Sequence, residues 1–396
     1  MGLSVTLLPL HRIINYNWGS ELTEAFRFLI EISKIKELDI TAVIGNADQK
    51  TIQLIPKRVN VINLSLKPGY NAISYLKFQK SIIKMAKELV SKSDVIHHFW
   101  PATALKSYSL VPILHPNIQK FVFGPILFPQ QELLSVDSRV YAEKLGWNNS
   151  PLIDTYMRIT SPLFSHLHKL SLEKCDHIFF DSNTTKDMIL SKFHDISHVN
   201  TSVIPTSFVK VRNTPVEILE KDELVVGVLT YYRRTKHVDV LLKALSQIPC
   251  SKVKLLLAGE GPDIPILKEL VHKLGLEERV KFLGHINNKQ MENFRKSIDF
   301  IWSGAIFPFE GLPSIREMMA NGVPAIGVSF KNKIEWLSHV VLVPPLDPIA
   351  LSKVLNYLSE NKSTLLKSMK AESLNFAKIQ FDADTLMKRI LKAYNN

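Results

Sequence analysis

Acidic residues and a glycine-proline turn lie close together in residues 299–326, and their types and spacing suit ligand chemistry. An apolar strand at 300–302 leads into a loop with Glu310, and a helix predicted from about Ser314 carries Glu317. Free N–H groups at a helix start can hold an anion, and carboxylates accept hydrogen bonds from hydroxyls. This combination suits a ligand that has both phosphate groups and sugar hydroxyls.

A cluster of cations follows the apolar strand predicted at Leu224–Leu229. Arg233, Arg234 and Lys236 stand within a few residues of the end of that strand. Arginine binds phosphate oxygens as a fork and lysine binds them as a point charge, so the cluster suits a diphosphate. A solvated basic loop is the alternative interpretation.

These motifs carry a family resemblance. Residues 317–324, Glu-Met-Met-Ala-Asn-Gly-Val-Pro, resemble the donor-sugar motif of family 4 retaining glycosyltransferases, which have the GT-B fold. Lys236 with Asp239 resembles the family's Lys-Gly-x-Asp motif, and residues 259–262 resemble its Gly-x-Gly-Pro turn. The set covers about residues 224–326, and the order of its motifs is more specific than any one of them.

The resemblance implies a role for each matching residue. Glu317 would accept a hydrogen bond from the donor ribose, and Glu310 would meet the hydroxyls of the donor sugar. Gly284, His285 and Ile286 would lie along the nucleobase. The catalytic candidates are Glu310, Lys236, Arg233 and His97. The other donor-binding candidates are Gly19, Arg234, Gly259, Gly311, Leu312, Pro313 and Ser314.

Some of these positions depart from the family's pattern and have structural alternatives. Only six residues separate Glu310 from Glu317, one fewer than in the family, so Glu310 also fits an exposed loop acid. Glu317 also fits an acid that favours the helix dipole in the first turn. His97 lies near the end of the strand predicted at Val95–His98 and equally fits a hydrogen-bonded structural histidine. Gly19 stands alone where the family has several glycines.

Apolar runs alternate with helical patterns along the chain and predict an α/β protein with parallel sheets. The expected architecture is GT-B, with two facing Rossmann-like domains and a C-terminal crossover helix. The predicted bounds are 1–210 for the acceptor domain, 211–223 for a linker, 224–380 for the nucleotide-sugar domain and 381–396 for a helix that packs back on the first domain. Ligands of such sheets bind at the carboxyl ends of the strands.

Composition limits the choice of partners. The 396-residue chain has 49 basic and 37 acidic residues, a net charge of +12, which suits phosphate-bearing partners, but no nucleic-acid module is recognisable. No metal cluster stands out, and the family is metal-independent, so no metal or other cofactor is expected. Without a long apolar run or a signal pattern, we expect a cytoplasmic protein. A helix at 71–92 places four lysines on one face, namely Lys77, Lys80, Lys84 and Lys87. A solvated helix face explains them, and contact with an anionic membrane is the alternative hypothesis.

The function predicted from these features is transfer of a sugar from a nucleotide-diphosphate sugar to a hydroxyl of a glycan, a lipid-linked acceptor or a small molecule, with retention of configuration implied by the family. Two rival functions stay open. One is a different GT-B enzyme, a nucleotide-sugar epimerase or a phosphorylase. The other is a non-catalytic protein that binds nucleotide sugars.

Overall fold

The computed structural model describes most of the chain as two compact units. The described residues are 2–8, 21–65, 72–99, 109–115, 117–126, 165–206, 208–217, 222–249, 252–305, 312–329 and 333–396. The first unit is Met1–Phe208 with Ala383–Asn396, and the second is Val209–Asp382. Much of the segment predicted as a linker belongs to the second unit, where the Arg212 and Val216 N–H groups donate to the Ala320 and Asn321 carbonyls at 3.0 and 2.9 Å.

The first unit contains a parallel sheet of seven strands in the order β3-β2-β1-β4-β5-β6-β7. Its strands are β1 Leu3–Leu7, β2 Leu38–Ile44, β3 Asn60–Asn63, β4 Val95–His98, β5 Phe121–Ile126, β6 His177–Phe180 and β7 Asn200–Val203. Its helices include α1 Glu21–Ile32, α2 Gln49–Gln53, α3 Ala72–Leu89, α4 Val111–Leu114 and α5 Asn183–Lys192, and residues 165–173 are also helical. The central strands are buried on both faces, which explains why they read as continuous apolar runs.

The second unit repeats this plan with the strand order β10-β9-β8-β11-β12-β14-β13. Its strands are β8 Leu224–Leu229, β9 Val253–Ala258, β10 Val280–Gly284, β11 Phe300–Trp302, β12 Ala325–Val328, β13 Glu335–Trp336 and β14 Val340–Val343. Only β13 is antiparallel to its neighbour among these strands. The strand order reverses between β8 and β11, which makes the carboxyl ends of these two strands the topological switch point of the sheet.

Helices of the second unit cover both faces of its sheet, and each face has its own apolar core. They are α6 Val238–Ser246, α7 Ile264–Lys273, α8 Asn288–Ser297, α9 Pro313–Met319, α10 Pro348–Glu360 and α11 Lys362–Gln380. The last helix of the chain, α12 Ala383–Asn395, belongs to the first unit. Its Leu386, Ile390 and Tyr394 are spaced by four residues and are buried in a core of that unit.

Candidate active site

The switch point of the second sheet forms a small pocket. It lies between the end of β8 (residues 228–230), Lys236, the start of α6 and the end of β11 (residues 302–304). Gly304 permits this close approach, because a Cβ at that position would lie 2.8 Å from the Lys236 carbonyl oxygen. The sequence-predicted Lys236 therefore stands where parallel α/β sheets usually bind ligands.

The loop after β8 brings the three predicted cations together. Arg234–Lys236 form one turn of 3-10 helix, closed by the Lys236 N–H group, which donates to the Arg233 carbonyl at 2.8 Å. Arg233 and Arg234 are exposed, and the Arg233 guanidinium lies 4.9 Å from the centre of the Tyr231 ring. An exposed Arg pair beside a half-buried Lys is a suitable surface for a diphosphate.

This loop is fixed by the glycine turn that follows β9. The Thr230 N–H group donates to the Ala258 carbonyl at 3.2 Å, and the Tyr232 N–H group donates to the Glu260 carbonyl at 2.7 Å. Gly259 has a φ of +123°, and a Cβ there would lie 1.9 Å from the Thr230 carbonyl oxygen. Gly259 is predicted to bind the donor, but in this geometry it allows the turn after β9 to pack against the loop after β8.

The turn after β10 adjoins the same scaffold. The Gly259 N–H group donates to the Gly284 carbonyl at 2.8 Å, and Gly284 adopts a left-handed φ of +66°. His285 is exposed, while Ile286 is half-buried against the core on that face of the sheet. The structure therefore places Gly284, His285 and Ile286 at the carboxyl edge that also carries Lys236.

Glu317 lies in α9, which follows β11. The helix begins at Pro313, a residue whose fixed φ suits the first helical position, and Leu312 is its N-cap. Glu317 therefore stands beyond the first turn, and the interpretation of it as a first-turn acid is wrong. Its Oε1 accepts a hydrogen bond from Arg295 Nη2 at 2.5 Å. The carboxylate is one-third exposed, so it remains accessible to a ligand.

Three of the predicted residues lie outside the described residues. Gly19 belongs to the segment after β1, and Glu310 and Gly311 belong to the loop before α9. Their roles stay predictions. Leu312, Pro313 and Ser314 are described, and they form the N-cap and the first turn of α9.

His97 is a structural histidine in this geometry. It is the last residue but one of β4 and has no exposed surface, and its ring nitrogens hydrogen bond to the Tyr394 hydroxyl at 2.6 Å and the Gly124 carbonyl at 2.9 Å. Burial lowers the pKa of His97 to about 3, and the bond to Gly124 offsets this only in part. A neutral, enclosed imidazole is not placed to contact a substrate, so the structural alternative fits better than the catalytic role.

Two residues near the site carried no sequence signal. Trp302 lines the pocket at 4% exposure, and its indole N–H is buried without a hydrogen-bond partner among the residues that the structure describes. Arg295 contacts Glu317 from α8, a separation of 22 residues in sequence. In the sequence, Trp302 reads only as part of an apolar strand. The contact between Arg295 and Glu317 depends on the relative positions of α8 and α9.

Within the described ranges, no three His, Cys, Asp or Glu side chains are grouped as metal ligands would be. Likewise, no helix in the described part of the chain is long and apolar enough to cross a bilayer.

Comparison with known proteins shows a similarity over much of the second unit. Residues 212–375 match the model of the glycosyl transferases group 1 family. An uncharacterized glycosyltransferase of Methanocaldococcus jannaschii is 31% identical over 131 residues, 33% of each chain. The alpha-monoglucosyldiacylglycerol synthase of Streptococcus pneumoniae is 26% identical over 183 residues, 40% of this chain and 41% of the relative. The chain thus spans only a third to two-fifths of the length of these curated relatives.

A solved structure extends the likeness to the whole chain. HepE of Anabaena, in complex with UDP, aligns over 100% of both chains with a TM-score of 0.64 and 17% identity. This likeness shows the fold, and the predicted GT-B class is confirmed. Residues 212–375 of the second unit are therefore similar to the glycosyl transferases of group 1, in a chain that has the GT-B fold.

Proposed function

We propose that this protein transfers a sugar from a nucleotide-diphosphate sugar to a hydroxyl group of an acceptor. The observation that carries the proposal is the meeting of Lys236, Gly259 and Gly284 at one carboxyl edge of the second sheet. That edge belongs to the segment that matches glycosyl transferases group 1. The HepE structure with UDP adds support, because that protein has the same fold and holds a nucleoside diphosphate.

In this proposal each part of the donor has its own contacts. Lys236, Arg233 and Arg234 bind the diphosphate, with the N–H groups around Leu312–Ser314 beside it. The base lies along residues 284–286, and Glu317 accepts a hydrogen bond from the ribose. Glu310 and Gly311 meet the sugar. Cations fixed near the diphosphate stabilise the negative charge that develops as the bond to the anomeric carbon breaks.

The finer features of the reaction follow the family 4 resemblance. We propose that the configuration at the anomeric carbon is retained, and that the cations neutralise the leaving diphosphate without a metal ion. The acceptor hydroxyl oxygen bonds to the anomeric carbon as the bond from that carbon to the diphosphate oxygen breaks, and the hydroxyl proton passes to the departing nucleoside diphosphate.

A lipid-linked acceptor is the acceptor class with some support. The S. pneumoniae relative is named as a synthase of a glucosyl diacylglycerol. On α3 the side chains of Lys80, Lys84 and Lys87 are exposed along one face and could meet anionic lipid. We expect vesicles that contain anionic phospholipid to co-sediment the protein, and charge reversal of these lysines to glutamate to abolish it. Equal sedimentation of both proteins would contradict this contact.

A thermal-shift screen against UDP, GDP and ADP sugars tests the donor part of the proposal. At a ligand concentration of 100 times Kd, binding to the native state alone stabilises it by about 2.7 kcal/mol, which gives a measurable rise in Tm. We expect one base series to raise Tm in the wild type and to have less effect on Lys236→Ala. No stabilisation by any of these nucleotides would contradict the proposal.

A further inference from the structure

A line of alternating charges runs from Glu317 in α9 through Arg295 and Glu292 in α8 to Arg212, which precedes β8. Arg295 Nη1 donates to Glu292 Oε2 at 3.3 Å, within α8. Glu292 Oε1 in turn accepts from Arg212 Nη2 at 3.0 Å. With the bond from Arg295 Nη2 to Glu317 Oε1, the guanidinium of Arg295 lies between two carboxylates.

The elements that carry this line are themselves fixed. Asn287 and Gln290 form a capping box at the start of α8, with hydrogen bonds of 3.0 and 2.8 Å. The Asn321 amide donates to the Glu317 carbonyl at 2.7 Å and so ties down the end of α9. Arg295 is 16% exposed, the most buried member of the line, whereas Glu317 and Glu292 are each 33% exposed. The partner of Glu317 is therefore more enclosed by its surroundings than Glu317 is.

We propose that Arg295 is a positioning residue for the nucleotide donor. It occupies Oε1 of Glu317 and sets the direction of the carboxylate, which leaves Oε2 to accept the ribose hydroxyl. The inference rests on the proposed function, because it concerns the residue assigned to the ribose. Because only Oε2 of Glu317 is left to accept, one of the two ribose hydroxyls is bound more strongly than the other.

A purely structural ion pair is the competing explanation, and it predicts different results. Half-exposed pairs contribute little to stability, so loss of such a pair should barely change either Tm or ligand affinity. A positioning role predicts weaker nucleotide binding with little change in Tm. Since the ribose lies away from the bond that breaks, the loss should be seen in KM for the donor and much less in kcat.

The test is calorimetric titration of UDP, or of GDP or ADP if the screen selects them, into four variants. We expect Arg295→Gln and Glu317→Gln each to weaken binding about tenfold, the cost of a hydrogen bond to a charged group. The double variant should be no weaker than Glu317→Gln, because both changes remove the same contact. Arg295→Lys should recover part of the loss and provides a folded variant if the glutamine is not tolerated.

Lys273→Gln is the matched control, since it breaks an ion pair with Glu269 of 2.7 Å on α7 and should bind as the wild type does. The 2′-deoxy and 3′-deoxy forms of the nucleotide should differ in their loss of affinity for the wild type. Wild-type affinity in Arg295→Gln beside a loss in Glu317→Gln would overturn the positioning role and leave the proposed function intact. If the wild type binds none of the three nucleotides, the proposed function itself fails and this inference with it.

Discussion

Lys236 and Glu317 occupy positions that favour contact with a ligand at the carboxyl edge of the second sheet. Lys236 lines the pocket at the switch point, and Glu317 is one-third exposed on a helix that follows the neighbouring strand. His97 has the opposite surroundings, with no exposed surface and both ring nitrogens bonded. Residue type alone did not distinguish a ligand-binding side chain from a structural one, because solvent exposure and hydrogen-bond partners depend on the fold.

Replacing Lys236 should reduce catalysis far more than it reduces stability. We expect Lys236→Ala to lower kcat/KM about 100-fold, the usual cost of losing one fixed group that stabilises developing negative charge. Steady-state assays of nucleoside diphosphate release measure this. Lys243→Ala, an exposed lysine of α6 paired with Asp239, is the control and should stay within twofold of the wild type. Equal activity of both variants would contradict the role of Lys236.

His97 should make the stability of the protein depend on pH. Its native pKa of about 3 lies below the ordinary value of 6.5, so below pH 6.5 the unfolded state binds the proton more readily. The free energy of unfolding should therefore fall as pH drops from 6.5 towards 3, by at most about 1.4 kcal/mol per pH unit for this group. Urea unfolding at several pH values should show a shallower fall for His97→Gln. An equal slope in His97→Gln and in the wild type would contradict the enclosure of this imidazole.

At the scale of elements, the turn after β9 is the structural support of the candidate site. Gly259 lets that turn pack against Thr230, and both Gly259 and Gly261 adopt positive φ angles. The tightness of this contact means that the position of Lys236 depends on a glycine that need not touch the ligand.

Gly259→Ala should therefore destabilise the protein strongly and weaken nucleotide binding. A Cβ 1.9 Å from a backbone oxygen forces the two loops apart, and we expect a loss of at least about 3 kcal/mol in the free energy of unfolding. Gly275→Ala is the control, because Gly275 has a φ of +64° and a Cβ added there would meet no atom within 4 Å. Gly275→Ala should lower the free energy of unfolding by only about 1 kcal/mol. Similar losses in the two variants would contradict the supporting role of the turn.

The last helix, α12, provides a second test at this scale. Ile390 is fully buried against the first unit's core, so Ile390→Ala should lower the free energy of unfolding by about 2–5 kcal/mol. Urea unfolding monitored by circular dichroism measures the loss. The exposed Ile379 is the matched control, and Ile379→Ala should stay within about 0.5 kcal/mol of the wild type. A small loss at both positions would mean that α12 is not packed as described.

Prediction from the sequence succeeded where periodicity and burial agree. Strands β8 and β11 have the bounds predicted for them, Leu224–Leu229 and 300–302, because parallel strands covered on both faces read as apolar runs. Helices α10 and α11 were not predicted individually. Of the 19 residues of α11, few are buried, and those are Met369, Ser373, Leu374 and Ala377, which makes a weak pattern. Motif spacing selected Lys236 and Glu317, whose contacts with a ligand stay predictions, whereas the partner Arg295 could be identified only from the tertiary structure.

At the scale of the whole molecule, each unit has its own sheet and its own apolar cores. The chain carries a net charge of +12, and two exposed arginines stand beside Lys236 at the candidate site. The overall field and the local cluster therefore both favour an anionic ligand.

Salt should accordingly weaken binding of the nucleotide. The Debye length falls from about 13 Å at 50 mM salt to about 4 Å at 500 mM, so attraction between exposed charges is largely screened. We expect the affinity for the nucleoside diphosphate to drop several-fold over this range in calorimetric titrations. The parent nucleoside lacks phosphate and should be almost insensitive. An equal response of both ligands would argue against recognition of the diphosphate by the cation cluster.

The most direct test of the central claim is a transfer reaction followed by mass spectrometry and proton NMR. The wild type is incubated with the nucleotide sugar selected by thermal shift and with a panel of glycan, glycolipid and diacylglycerol acceptors. We expect equal amounts of nucleoside diphosphate and glycosylated acceptor, with the anomeric configuration of the donor retained in the first product. Binding of the donor without formation of a glycosylated acceptor from any member of the panel would contradict it.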